Sequence, residues 1–279
     1  MSLLQAVVTR TRDGLARQPD SAADGTAGVH AGRDVAVDLR NVAKVFPAGT
    51  GTLTALDNIS LQIRRGEFVC IIGASGCGKS TLLNLVAGLD QPTSGEVARV
   101  GAPSFMFQEA ALFPWLSVEQ NVELPLRFAK VPAATRRERA RELLDLVRLT
   151  PFAARQPHEL SGGMRQRAAL ARALARDAEV LLMDEPFGAL DAMTRDILHD
   201  ELERIWQATD KTILFVTHNV REAARLGDRI VLLTSRPGRV AEEFEVGLPR
   251  PRRIEDADVA RLAALVTTRL RQEVARHGR

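Results

Sequence analysis

The first regular pattern along the chain is an alternation. Val35, Val37 and Leu39 stand at every second position, as on a half-buried strand, and Leu61 to Ile63 mark a second one. Phe68-Val69-Cys70-Ile71-Ile72 is apolar throughout, which predicts a parallel strand covered on both faces. A turn over Gly73 to Gly78 then leads into a helix from Lys79 to a terminating Gly88. Between residues 109 and 160 the pattern changes character. Pro114, Pro125, Pro132, Pro151 and Pro157 interrupt it, no strand is legible, and one helix stands out. There Thr135 and Glu138 have capping-box spacing, and Leu143, Leu144 and Val147 share a face.

Alternation of elements resumes beyond this stretch. Helix 162–176, strand 179–183, helix 192–208, strand 212–217, helix 219–226 and strand 229–234 follow one another. Val259, Leu262, Val266, Leu270 and Val274 then recur at helical spacing over 256–276, as a packing face does. Strands alternating with helices predict an α/β fold with a mostly parallel sheet, interrupted by a helical insert. Residues 1–33 have no apolar period and read as a flexible leader. The expected division is therefore a leader over 1–33, a main domain over 34–245 with its insert at 109–165, and a helical extension over 246–279.

Composition narrows the class. The chain has 279 residues, 45% of them hydrophobic, enough for a sizeable core. No run approaches the ~18 apolar residues of a spanning helix. Leu3-Leu4-Gln5-Ala6-Val7-Val8 is too short a run before Arg10 and Arg12 for a secretory signal, so the expectation is a cytosolic chain. A net charge of +3 comes with basic residues spread along the chain, not gathered into the stripe that nucleic acid requires. Cys70 and Cys77 fit neither a disulfide framework nor a metal spacing. Tyrosine is absent, and Lys44, Lys79, Lys130 and Lys211 are the only lysines, so a lysine in a demanding place is informative.

Lys79 is in such a place. Gly73-Ala74-Ser75-Gly76-Cys77-Gly78-Lys79-Ser80 fits G-x-x-x-x-G-K-S between a buried strand and a helix. Glycines let successive backbone N–H groups turn inward around a phosphate, and the helix adds its positive end. Lys79 reaches the β- and γ-phosphates, and the Ser80 hydroxyl ligates Mg²⁺. This is a nucleotide site. Cys77 lies inside it and is expected to be partly accessible, alkylated in the free protein and protected by Mg-ATP.

Val180-Leu181-Leu182-Met183-Asp184-Glu185 is a second apolar strand, ending in two carboxylates. Behind a phosphate cradle, Asp184 suits Mg²⁺ held through water, and Glu185 suits an attacking water. The other reading is two solvated carboxylates at a strand end. His218 follows Ile213-Leu214-Phe215-Val216-Thr217, and Gln108 follows Ser104-Phe105-Met106-Phe107. Each falls at a strand's C-terminal end, the ligand-binding edge of open α/β sheets, although a lone histidine there is also commonly structural.

Leu160-Ser161-Gly162-Gly163-Met164-Arg165-Gln166 decides among these readings. In its order after the cradle and before the Asp184-Glu185 strand, it resembles the signature of ABC transporter ATP-binding subunits, over residues 35 to 240. A helix starting with Ser-Gly-Gly offers a hydroxyl and unobstructed N–H groups to an anion. The resemblance implies a P-loop NTPase fold with an N-terminal antiparallel β part and an insert carrying the signature. It implies ATP and Mg²⁺ as cofactors, and a head-to-tail homodimer sandwiching two ATP molecules. Residues Gly73, Ser75, Gly76, Cys77, Gly78, Lys79, Ser80 and Thr81 would then hold one ATP, and Ser161, Gly162, Gly163 and Gln166 would serve the partner's. Gln108 would be the Q-loop glutamine near Mg²⁺, Asp191 the D-loop aspartate, His218 the switch histidine and Glu185 the catalytic base. Phe46 would stack on adenine where the family often has Tyr, and Met164 replaces the commoner Gln.

Within the family, the likeness is to importers of nitrate, taurine and aliphatic sulfonates. It is carried by Phe46-Pro47-Ala48-Gly49, Phe107-Gln108-Glu109, Leu112-Phe113-Pro114-Trp115-Leu116, Asn121-Val122-Glu123-Leu124-Pro125-Leu126 and Ser235-Arg236-Pro237-Gly238-Arg239. That likeness implies two transmembrane permease subunits, a periplasmic or lipid-anchored substrate-binding protein reached through them, and a peripheral place on the cytoplasmic face of the inner membrane. Trp115 and Leu116 suit a groove for a membrane subunit, or alternatively packing within the insert. Two other classes fit less well. The ~80 residues between Lys79 and Ser161 are too few for the long coiled coil of DNA-repair ABC ATPases. Translation-type ABC ATPases carry two motif sets, and small-molecule P-loop kinases lack the signature. An ATPase of another transporter type stays open at this point.

Overall fold

The structure is a computed structural model and describes residues 34–49, 51–188 and 190–277, so the leader expected at 1–33 lies outside the described residues. In chain order the strands are β1 Val35–Ala48, β2 Gly51–Arg64, β3 Phe68–Ile72, β4 Ser94–Arg99, β5 Ser104–Met106, β6 Val180–Asp184, β7 Thr212–Val216, β8 Arg229–Leu233 and β9 Val240–Glu245. The helices are α1 Lys79–Ala87, α2 Val118–Phe128, α3 Ala133–Leu146, α4 Gly162–Ala175, α5 Ala192–Thr209, α6 Val220–Leu226 and α7 Ala257–His277. The chain divides into two units: one runs to Arg99 and resumes at His218, and the other spans Val100–Thr217.

In the first unit, β2, β1 and β4 form an antiparallel sheet in that order. The alternation read at Val35 to Leu39 extends into a long hairpin in which Leu39 faces Leu61 and Phe46 faces Leu53. Asn41 and Asn58 sit at φ near +50°, close to a register shift after Leu39. Asparagine tolerates that left-handed backbone, which suits it to a bulge. All five residues of β3 are buried, and the strand pairs parallel with β8, which pairs antiparallel with β9. Gly88 ends α1 as expected, at φ 73°, its N–H donating to the carbonyls of Asn84 and Leu85. On α7, Val259, Leu262 and Val266 are buried, but Leu270 is only half-buried and Val274 is exposed. The packing face of this helix therefore stops one turn after Val266.

Buried Arg252 fastens the segment before α7 to the end of α6. Its guanidinium donates to the carbonyls of Gly227 at 2.6 Å, Leu248 at 2.9 Å and Val246 at 3.2 Å, with Arg225 at 3.3 Å. A cation on the last carbonyls of a helix also meets its negative end.

The second unit carries β5, β6 and β7 as parallel neighbours, with α2 to α5. Its helical part corrects the reading of the sequence twice. Two α-helices, α2 and α3, occupy the stretch where one was expected. A capping box nucleates α2: Gln120 N–H donates to Ser117 Oγ, and Ser117 N–H to Gln120 Oε1 at 2.9 Å. The helix tolerates Pro125 in its interior. Helix α3 starts at Ala133 behind Pro132 and has no side-chain cap, so Thr135 and Glu138 lie within it rather than opening it. Proline's fixed φ suits a helix start and displaces the expected cap. No helix among the described residues is long and apolar enough to cross a membrane.

Candidate functional site

The loop expected to cradle phosphate runs between β3 and α1. Gly76 has φ 72° and Gly78 has φ 99°, both in the left-handed region. A Cβ at Gly78 would stand 2.6 Å from a Leu56 methyl and 2.9 Å from the Ala55 carbonyl. Only glycine fits there. Lys79 is buried at the first turn of α1, its Nζ 3.0 Å from the Gly73 carbonyl and 3.1 Å from that of Ala74. Its ammonium therefore lies over the loop it follows. Ser75 and Ser80 are exposed and Thr81 is half-buried.

Cys77 departs from expectation. It is 1% exposed, and a Cβ at Gly73 would lie 2.6 Å from its Sγ. The thiol fills the space left by the missing side chain at position 73. Burial pushes its pKa up, against a smaller lowering by Lys79.

Phe46 is half-buried near the end of β1, with Lys44 Nζ 4.9 Å from its ring centroid. Lys44 is itself fixed by Asp90 at 2.6 Å and the Gln91 carbonyl at 2.8 Å. That bond holds the Asp90 carboxyl below the usual carboxylate range. His218 is exposed just ahead of Asn219, which caps α6, and an open pocket of about 370 Å³ is lined by His218, Asn219, Val220, Arg221 and Thr267.

The second unit holds the remaining candidates. Asp184 ends β6 and Glu185 follows it, both half-buried. Glu185 has φ 43°, which costs a non-glycine residue about 1–2 kcal/mol. It is held there by its N–H donating to the Val216 carbonyl at 2.9 Å and its own carbonyl accepting from Gly188 N–H at 3.2 Å. Gln108 is exposed after β5, and its carbonyl accepts from Gln166 Nε2 at 2.9 Å. Arg172 pins the loop that follows, donating to the carbonyls of Ala110 and Ala111.

Ser161 caps α4 by accepting from Met164 N–H at 3.3 Å, so Gly162 and Gly163 form the first turn. Asp191 caps α5, accepting from Thr194 N–H at 2.9 Å and Thr194 Oγ1 at 2.7 Å. These bonds hold its carboxyl below the ordinary range. A Cβ at Gly163 would meet Thr194 Cγ2 at 2.3 Å. Thr194 thus touches both the signature turn and the Asp191 cap. Sequence reasoning missed it, although Asp191-x-x-Thr194 has the spacing of a cap and its N3 residue.

The donors suit Mg-ATP by their chemistry. The cradle is backbone N–H groups and a lysine, where phosphate oxygens bind. Ser80 in the first unit and Asp184 in the second each carry hard oxygen, the ligand type Mg²⁺ prefers. Among the described residues no cluster of three or more His, Cys, Asp or Glu occurs.

Comparison with known proteins agrees with this chemistry. Residues 56–188 match the model of the ABC transporter family. The chain is 46% identical over 226 residues to the aliphatic sulfonates import ATP-binding protein SsuB of Bacillus cereus, spanning 77% of this chain and 88% of the relative. It is 47% identical over 221 residues to the nitrate import ATP-binding protein NrtD of Synechocystis, spanning 76% and 83%. A solved dimeric structure of a bacterial ABC transporter cassette superposes with a TM-score of 0.68 at 37% identity, covering 76% of this chain and all of that one. With an antiparallel sheet ahead of parallel strands and a helical part carrying the signature, the chain has the P-loop NTPase fold. It belongs to the ABC transporter family and is an ATP-hydrolysing, ATP-binding subunit.

Proposed function

We propose that this subunit hydrolyses ATP as one half of a homodimer and thereby drives uptake of a small anion, a sulfonate, taurine or nitrate, through two separate permease subunits. The observation that carries the dimer is a second helix start, Ser-Gly-Gly, of a kind that suits an anion. Ser161 and Gly162 open α4 with accessible groups but bring no lysine of their own. Such a turn suits a nucleotide whose lysine comes from elsewhere, and the relative solved as a dimer supports a partner subunit as the source. Import of an anion rests on the sulfonate and nitrate import relatives.

In this reading the cradle from Gly73 to Thr81 holds the phosphates and Phe46 stacks on adenine. Ser80, Gln108 and Asp184 are assigned to Mg²⁺, which when bound neutralises phosphate charge. Glu185 accepts the proton of the attacking water, His218 meets the γ-phosphate, and Ser161, Gly162, Gly163, Gln166 and Asp191 serve the partner's nucleotide. Docking to the permeases is supported by exposed aromatics in and just before the insert. Trp115 is 70% exposed, its ring 5.5 Å from that of Phe113, and Phe107 is exposed as well. An exposed aromatic cluster of this kind favours a partner surface over packing within the insert. The permeases would seat the subunit on the cytoplasmic face of the inner membrane and link it to a periplasmic or lipid-anchored binding protein, with no role for nucleic acid.

Glu185→Gln tests the core of this reading. With ATP it is expected to lose turnover and to accumulate a dimer seen by light scattering. A protein that stays monomeric with ATP overturns the sandwich. Co-purification of the permeases, with anion binding measured on the associated binding protein, tests the import half.

A further inference from the structure

The Ser235-Arg236-Pro237-Gly238-Arg239 segment, a mark of likeness in the sequence, has a place in the structure that the assigned roles leave unused. It forms the turn between β8 and β9 and closes on itself. Thr234 N–H donates to the Arg239 carbonyl at 2.9 Å, Arg239 N–H to Thr234 Oγ1 at 2.9 Å, and Thr234 Oγ1 to the Pro237 carbonyl at 2.7 Å. It is also stitched to β2, with Gly238 N–H donating to Ala55 and Asp57 N–H donating to Gly238, both at 2.9 Å. Arg239 adds an ion pair to Asp57.

Thus anchored, the turn touches two successive peptide groups of the phosphate cradle. Arg236 Nε donates to the Gly76 carbonyl at 3.0 Å, and its guanidinium comes within 2.6 Å of where a Cβ at Gly76 would stand. On the other side of the same peptide plane, Cys77 N–H donates to Ala74 at 3.2 Å. A peptide is planar, with its C=O and N–H pointing in opposite directions, so bonds at both ends fix its rotation. The next peptide is held by shape. A Cβ at Gly238 would lie 2.2 Å from the Cys77 carbonyl oxygen, so the two backbones are in contact.

We infer that Arg236 is a positioning residue for nucleotide binding: from outside the cradle it fixes the Gly76–Cys77 peptide, and so the shape the phosphates meet. The residue acts through the backbone of the loop and does not itself bind the phosphates. This rests on the nucleotide being held at Gly73–Ser80.

The test measures ATP hydrolysis and equilibrium ATP binding for wild type, Arg236→Ala, Arg236→Lys and Lys79→Ala, together with melting temperature. Loss of one charge-assisted hydrogen bond predicts a roughly tenfold rise in KM and in Kd for Arg236→Ala, with kcat falling less than about twofold. Arg236→Lys, which keeps a cationic donor, is expected to regain most of the affinity. Melting temperature is expected to stay within about 2 °C of wild type, because the side chain is exposed. Wild-type ATP affinity in Arg236→Ala, alongside lost binding in Lys79→Ala, overturns this inference alone. Wild-type affinity in Lys79→Ala overturns the nucleotide site as well. A fall in kcat with an unchanged KM, or a melting loss that tracks the affinity loss, overturns the positioning role.

Discussion

Gln166, on the signature helix, donates through Nε2 to the backbone carbonyl of Gln108 at 2.9 Å, so two residues 58 positions apart are joined by one bond. Gln166 is buried and its Oε1 has no hydrogen-bond partner among the described residues. The side chain is therefore held by a single bond at the backbone of the glutamine assigned to Mg²⁺. Gln166→Leu is expected to lower stability by less than about 1.5 kcal/mol in urea unfolding. Turnover is expected to fall by up to about a hundredfold in kcat, since displacing a positioned group by an ångström has that scale of effect. An equal loss in Gln166→Ala and none in a variant that keeps the amide would locate the effect in this bond.

Gly163 and Thr194 share one space. Gly163→Ala places a methyl 2.3 Å from Thr194 Cγ2. Overpacking of this kind costs about 1–3 kcal/mol. Thr194→Ser removes the offending methyl but keeps the hydroxyl that Asp191 accepts from. The double variant is expected to regain most of the lost stability, read as a coupling in a double-mutant cycle. ATPase activity is expected to stay low in it, because the new methyl still covers the start of α4.

Asp191 gives a pH dependence of known sign. Its carboxyl is held below the usual carboxylate range by the Thr194 N–H and hydroxyl. A group with a lowered folded pKa stabilises above the unfolded carboxylate range, and that contribution is lost as pH falls through the folded value. Asp191→Asn keeps a capping acceptor but cannot titrate. Urea midpoints of the wild type and this variant, measured from neutral to acid pH, are expected to converge at the acid end.

The two cysteines, Cys70 and Cys77, are both buried, and burial raises the pKa of each. Little thiolate is then present at neutral pH, and access is blocked. Ellman's reagent is expected to find two thiols in denaturant and no fast-reacting one in the native protein, with or without Mg-ATP. Rapid native labelling of Cys77 would contradict the packing against Gly73.

Arg252→Ala takes this donor from the carbonyls of Gly227, just past α6, and of Val246 and Leu248. A loss of about 2–4 kcal/mol is expected from the urea midpoint at unchanged slope. Arg252→Lys is expected to recover a minority of it, because an ammonium cannot reproduce the planar fork.

What the sequence made legible was chemistry written in neighbouring residues. The apolar run of β3, the glycines of the cradle and the Gly88 cap each act within a few positions of themselves. Strand β4 was invisible because Ser94–Arg99 is polar and exposed, and it is a strand only through pairing with β1. In α2, Pro125 masked a helix whose start was announced by Ser117 and Gln120. The burial of Cys77 was hidden because a missing side chain at Gly73 makes room for the thiol. The contacts of Thr194 with Gly163 and of Arg236 with Gly76 were missed because each joins residues far apart along the chain. The likeness in motif order supplied roles for Phe46, Gln108 and His218 that no local pattern contained.

The backbone at Glu185 sets stability against activity at one residue. A left-handed φ of 43° there is a standing strain that asparagine or glycine would relieve, and glutamine would not. Glu185→Gln therefore compares a carboxylate with a carboxamide on the same strained backbone, which makes it the clean chemical control. Glu185→Asn relaxes the chain and removes the proposed base together. A screen for heat resistance blind to turnover would drift toward such replacements, so this position can be kept acidic only by selection on the reaction itself.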